Sequence, residues 1–187
     1  MGVIKDPFDE QRRSLLEALA GLGISPLLPQ GPAASQAGVR RGHVLGADEG
    51  EHLIHFRDRG NIFIKVGAAT GSGDLAVGTQ QVLVGTGIPI HRHFRMDEAF
   101  YVLEGSGHVV LDEVRHAFER GASIFIPNNT WHGFENPDHE LRLLWIVSPA
   151  GLDGFFRETC SPPGAPAKSL SRDQIREIAR RYDTEFR

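Results

Sequence analysis

The chain has 187 residues, is 40% hydrophobic and 24% charged, and carries a formal net charge of −4. That length suits one domain with added segments at its ends. The acidic balance excludes the clustered basic surface of a nucleic-acid binder, and no apolar run approaches the roughly 18 residues of a membrane-spanning helix.

Residues 1–37 admit two readings. Leu15, Leu16, Leu19 and Leu22 follow helical spacing, which predicts a helix over 9–20 before the breakers Pro26, Pro29 and Pro32. The pair Arg12-Arg13, followed by Ser14-Leu15-Leu16 and by small residues up to Ala37, also resembles a twin-arginine export signal. Glu17 inside the apolar stretch and Asp6, Asp9 and Glu10 before it oppose that second reading. The first leaves the protein in the cytoplasm and the second sends it to the periplasm; both stand.

Residues 38–150 carry a repeated strand signal. Short apolar or alternating runs occur at 53–56, 62–66, 75–84, 99–103, 108–111, 123–126 and 141–147. Turn-forming residues separate them, among them Arg59-Gly60-Asn61, Gly105-Ser106-Gly107, Asp112-Glu113 and Asn136-Pro137-Asp138. Strands joined this way without intervening helices predict an antiparallel sandwich or barrel. Residues 151–187 begin Pro-rich, and Cys160, the only cysteine, reads there as a spectator thiol. They end in a helix: Ser171 and Gln174 fit a capping box, and Ile175, Ile178, Ala179 and Tyr182 share one face, expected to pack on the outside of the barrel.

Nine histidines are present, so arrangement matters more than number. His91 and His93, one residue apart on a strand, point to the same face, about 6–7 Å apart along the backbone. Glu98 follows across a short turn, and His132 arrives from a separate hairpin. Three neutral imidazoles and one carboxylate suit a divalent transition metal: Fe, Mn, Ni, Co or Zn. His43, His52, His55, His108, His116 and His139 fit no such pattern, and ordinary surface or core placement is expected for them.

The run from Gly85 through His91, His93 and Glu98 to Gly105 resembles the first cupin motif, G-x5-HxH-x4-E-x6-G. The run from Gly121 through Pro127 and His132 to Asn136 resembles the second, G-x5-PxG-x2-H-x3-N, with Asn129 in place of the last glycine. Asn tolerates left-handed backbone better than most residues. The resemblance covers roughly residues 75–149. It implies an all-β jelly-roll barrel (a double-stranded antiparallel β-helix) with His91, His93, Glu98 and His132 as metal ligands, and a small quercetin-dioxygenase-like cupin among its variants.

Alternation from Glu98 and His132 places Phe100, Val102 and Phe134 inward and Tyr101 outward, so the pocket is expected to be largely apolar. Gln81, polar within an apolar strand, is a candidate for the surroundings of the metal. The leading expectation is a non-haem Fe(II) or Mn(II) dioxygenase acting on a small hydrophobic or aromatic molecule. Two alternatives stay open: a Lewis-acid isomerase, lyase or decarboxylase using Zn(II), Ni(II) or Co(II) as readily, and a non-catalytic small-ligand binder. The apolar run 141–147, read as a sheet edge that wants covering, predicts a homodimer.

Overall fold

The computed structural model describes residues 41–187. The helix expected over 9–20 and the export signal read around Arg12-Arg13 lie outside the described residues. Eleven strands follow in chain order: β1 (Glu51–Ile54), β2 (Asn61–Val66), β3 (Ala76–Val82), β4 (Ile88–His93), β5 (Asp97–Glu104), β6 (Ser106–Leu111), β7 (Val114–Glu119), β8 (Ser123–Ile126), β9 (His132–Glu135), β10 (Leu141–Ser148) and β11 (Thr184–Phe186). Two helices, α1 (Leu152–Thr159) and α2 (Arg172–Arg181), lie between the last two strands. The strands form two antiparallel sheets, one in the order β1-β2-β3-β10-β5-β8 and the other in the order β11-β4-β9-β6-β7. This is the all-β jelly-roll barrel that the cupin resemblance implies, and it agrees with the antiparallel sandwich or barrel read from the strand spacing.

Period-two alternation explains which face each strand buries. Along β10, Leu141, Leu143, Trp145 and Val147 are buried while Ile146 is exposed. Along β5, Glu98, Phe100 and Val102 are buried and Tyr101 faces solvent, as expected. The β6–β7 hairpin turns on Asp112 and Glu113, both at positive φ (43° and 74°), the twist that a tight two-residue hairpin requires. Trp145 lies flat across β3 only because position 78 is glycine: a Cβ there would stand 2.3 Å from the indole ring.

The sheet-edge position read for residues 141–147 is corrected by the topology. β10 hydrogen-bonds to β3 on one side and to β5 on the other. Residues 141–147 are apolar because the strand is central and one face is buried, and they offer no open edge to a second copy.

The motif residues also have local structural work. Asn129 adopts φ 63°, the conformation usually given to glycine. The buried Asn136 amide donates to the carbonyls of Val82, Leu83 and His139 at 3.2, 3.0 and 2.8 Å and accepts the Gly87 N–H at 2.8 Å. It thereby ties the entry to β4, and so the two histidines on it, to the turn after β9.

The C-terminal segment closes the other side. α2 starts with the expected capping box: Ser171 Oγ accepts the Gln174 N–H at 3.2 Å and Gln174 Oε1 accepts the Ser171 N–H at 2.9 Å. β11 then pairs with β4, setting Thr184 opposite His93 and Phe186 opposite His91. Arg92 holds Glu185 at 2.7 Å and Arg95 holds Asp183 at 2.9 Å across this junction. Cys160 is packed and buried, and that burial raises its thiol above the ordinary range.

Candidate metal centre

β4 supplies His91 and His93, β5 supplies Glu98 and β9 supplies His132. His91 sits directly opposite His132 in the register. One ligand atom from each of the four side chains lies within 4.8 Å of all the others, and all four residues are buried. Isolated in the interior, such groups would be costly; clustered, they can share one cation.

Each imidazole is oriented through its far nitrogen. His91 Nδ1 meets the Pro89 carbonyl at 2.8 Å, and His132 Nδ1 meets the Thr130 carbonyl at 2.9 Å. A carbonyl can only accept, so both Nδ1 atoms carry the proton and both Nε2 atoms present a lone pair. His93 Nδ1 contacts Thr184 Oγ1 at 2.9 Å, and that hydroxyl donates onward to the Tyr182 carbonyl at 3.0 Å. The hydroxyl proton being committed, His93 is held in the same tautomer. Its Nε2 is buried without a hydrogen-bond partner, a lone pair that a bound cation would satisfy.

Glu98 Oε2 stands 3.1 Å from His132 Nε2 and 3.4 Å from His93 Nε2. Two donors at right angles, each about 2.1 Å from a shared ion, are about 3 Å apart, so these spacings fit a common ligand sphere. Burial by itself would raise the Glu98 carboxyl, but the contacts and charges of His132 and His93 outweigh it and hold the group well below the usual carboxylate range. Burial, then the neighbouring His132 and His93, push His91 well below its ordinary value. An ionised carboxylate beside a neutral imidazole is the protonation state that metal binding needs.

The cluster opens into a cavity of about 500 Å³, within the range of small-molecule sites. His91, His93 and Glu98 share its lining with an apolar wall that includes Phe100, Trp145, Phe155 and Phe156. Of the pocket residues read from the sequence, Phe100 lines the cavity. Val102 and Phe134 are buried in the core instead, Phe134 packing against Phe100 and Phe118 at ring separations of 4.8 and 5.7 Å. Gln81 is a correction: it faces the other side of β3, where it accepts from Asn61 at 2.6 Å and donates to Glu140 at 2.7 Å. Its neighbour Gln80 is the residue that reaches the cavity.

The sequence reading missed much of the wall. His55, Phe56 and Arg57 come from the β1–β2 turn, and Phe155, Phe156, Arg172, Ile175, Arg176, Phe186 and Arg187 from the C-terminal segment. His55 is more than a packed ring: its Nδ1 lies 2.8 Å from Asp58 Oδ1. Asp58 Oδ2 also accepts from Thr86 Oγ1 at 3.1 Å. Burial lowers His55 from its ordinary value despite Asp58. Burial of Asp58 is outweighed by His55 and the Gly60 N–H, so that its carboxyl falls to about 2.

Fold and cluster together define a jelly-roll barrel with a three-histidine, one-glutamate centre. Residues 78–148 match the cupin domain model, and the chain contains a cupin domain. It is 36% identical over 84 residues to Protein SchB of Streptomyces halstedii (44% of this chain, 58% of that one). Over 96 residues it is 29% identical to the dimethylsulfoniopropionate lyase DddW of Ruegeria pomeroyi (51% of this chain, 62% of that one). The chain thus spans less than two thirds of the curated relatives it matches. The polyketide cyclase RemF of Streptomyces resistomycificus shares its fold, with a TM-score of 0.52 and 21% identity over 72% of this chain and 91% of that one.

Proposed function

We propose that this protein is a metal-dependent cupin enzyme acting on a small hydrophobic or aromatic organic molecule, with non-haem Fe(II) or Mn(II) dioxygenation as its reaction. The observation that carries this reading is the pinned donor set, three Nε2 lone pairs and one carboxylate, at the inner end of an apolar cavity. Four protein donors leave room on an octahedral ion for further ligands. Bound there, Fe(II) or Mn(II) supplies redox chemistry with dioxygen, and any of the divalent transition metals supplies Lewis acidity. The chain's own residues hold the ion, exclude water through the aromatic wall, and fix the substrate beside it.

A second reading rests on His55. A neutral imidazole on the cavity wall, with its Nδ1 held by Asp58, can take a proton from a bound substrate through its other nitrogen. That arrangement suits isomerase, lyase or decarboxylase chemistry, and agrees with the lyase among the similar proteins. Metal analysis of protein purified anaerobically, followed by oxygen-electrode assays on phenols and β-diketones, tests the first reading. Oxygen uptake that depends on added Fe(II) or Mn(II) is expected. Turnover of those compounds at an undiminished rate without oxygen would transfer the case to the second reading.

A further inference from the structure

Around the cavity, charge is distributed differently from the rest of the chain. The whole chain is acidic, with a formal net charge of −4, yet the cavity is lined by Arg57, Arg172, Arg176 and Arg187, against Glu98 as its one carboxylate. Glu98 is committed to the histidine cluster. A divalent ion there would add to the positive excess.

Arg187 pairs with Glu113 at 3.4 Å and Arg57 donates to the Gly87 carbonyl at 2.5 Å, but Arg172 and Arg176 lack the carboxylate partners that other arginines have. Arg92, Arg95, Arg115, Arg142, Arg157 and Arg181 each pair with a carboxylate. Arg172 and Arg176 have no acidic partner among the described residues. Arg59, Arg120 and Arg180 resemble them in this respect, but they do not line the cavity. Arg172 and Arg176 stand four residues apart on α2, on one helix face, with Ile175 beside them also lining the cavity. Arg57 reaches Asp58 only at 4.0 Å, because Asp58 is already engaged by His55, Thr86 and the Gly60 N–H. The Arg57 Nε is buried without a hydrogen-bond partner, which is costly unless something else supplies an acceptor.

We propose that the cavity takes an organic anion, a carboxylate carried on an aromatic or other apolar body. The body lies on the wall formed by Phe155, Phe156 and Trp145, and the carboxylate is received by Arg172, Arg176 and Arg57. This deepens the enzyme reading by naming its substrate class, and rests on it for the catalytic use of the site. Guanidinium groups suit the role because their planar donors match a carboxylate in pairs. Cation and apolar wall act on different parts of the ligand. A small anion without a body and a neutral molecule with one therefore each forfeit half of the recognition.

Titration calorimetry on the full chain tests this with three acids of increasing size, benzoate, 2-naphthoate and anthracene-2-carboxylate, each against its primary carboxamide, and with acetate as the bodiless control. Metal content is measured on the same samples, before and after chelation. At least one acid is expected to bind about tenfold or more tighter than its amide. That preference should persist after chelation and disappear in the R172Q/R176Q double variant, whose amide affinity and metal content stay unchanged. Acids and amides binding alike, no acid binding at all, or acetate binding as tightly as the best acid overturns the proposal. So does a preference that survives in the double variant or is lost on chelation, since the anion would then be read by the metal. An acid preference in protein that holds no metal keeps the ligand class and removes the metal reading; metal retained without the preference does the reverse.

Discussion

The two ends of the cavity are built on opposite principles. At the metal end every donor is fixed from behind: two imidazoles by backbone carbonyls, one by a threonine hydroxyl, and all four residues by burial. At the arginine end Arg172 and Arg176 are exposed on a helix, with no acidic partner among the described residues. A fixed end costs little reorganisation when it binds an ion that stays. A loosely held end accommodates a ligand that must enter and leave. The difference predicts that damage at the metal end abolishes function, while damage at the arginine end tunes it.

The largest effect is expected from ligand removal. A His91→Ala/His132→Ala double variant leaves two donors and should lose nearly all bound metal, read by elemental analysis after dialysis. Near-stoichiometric metal retained in that variant would remove the assignment. Because the imidazoles cluster with one buried carboxylate, the variant also leaves Glu98 underpaired, and a lower melting temperature is expected with it.

The same contrast explains what could be read from the chain. The ligand residues stand at fixed intervals on strands whose turns are marked by glycine, proline and asparagine, so fold and cluster follow from local pattern. The arginine end does not. β11 has three residues, too few for periodicity to register. α1 has eight, with Gly154 inside it, and this glycine is there because a Cβ would stand 2.2 Å from the Tyr182 ring. β7 escaped because it is an edge strand whose side chains are exposed except Phe118, which erases the alternation. Gln81 misled because its polarity marks an outer-face network with Asn61 and Glu140, invisible without the register. His55 gave no signal at all, since its partner Asp58 is an ordinary turn residue until the fold buries it.

A sharper probe of the metal end lies outside the motifs. Thr184→Val keeps the shape of the side chain but removes the oxygen that orients His93, leaving Nδ1 without its acceptor. Loss of such a partner typically weakens metal binding about 10–100-fold. Competition with a chromogenic chelator measures it. An affinity equal to that of the unmodified protein would mean that β11 closes the barrel without setting the histidine.

Between the two ends, Asp58 ties the β1–β2 turn to the loop before β4. Its folded carboxyl, at about 2, lies below the ordinary aspartate value of 3.8. A depressed folded value means that the ionised form stabilises the fold. The contribution is complete above the unfolded value and is lost as pH falls through the folded one, here between about pH 4 and 2. It amounts to roughly 2 kcal/mol at neutral pH. Asp58→Asn should lose about that much in urea unfolding at pH 7 and flatten this part of the acid limb. An unchanged unfolding midpoint at pH 7 would show that the amide replaces the carboxylate in full.

The smallest effect belongs to the helix that carries the arginines. Ser171 caps α2 by accepting the Gln174 N–H, and Ser171→Ala should cost about 1 kcal/mol. The first turn of α2 contains Arg172, so the loss appears as faster amide exchange over that turn. Farther along, Ile178 and Ala179 are buried and keep their protection, because packing and not the cap holds that part of the helix. Metal content should be unchanged, since no ligand or ligand-orienting group lies on α2. If the uncapped helix instead releases metal, the two ends of the cavity are mechanically coupled, and loosening at the arginine end reaches the histidines through Tyr182 and β11.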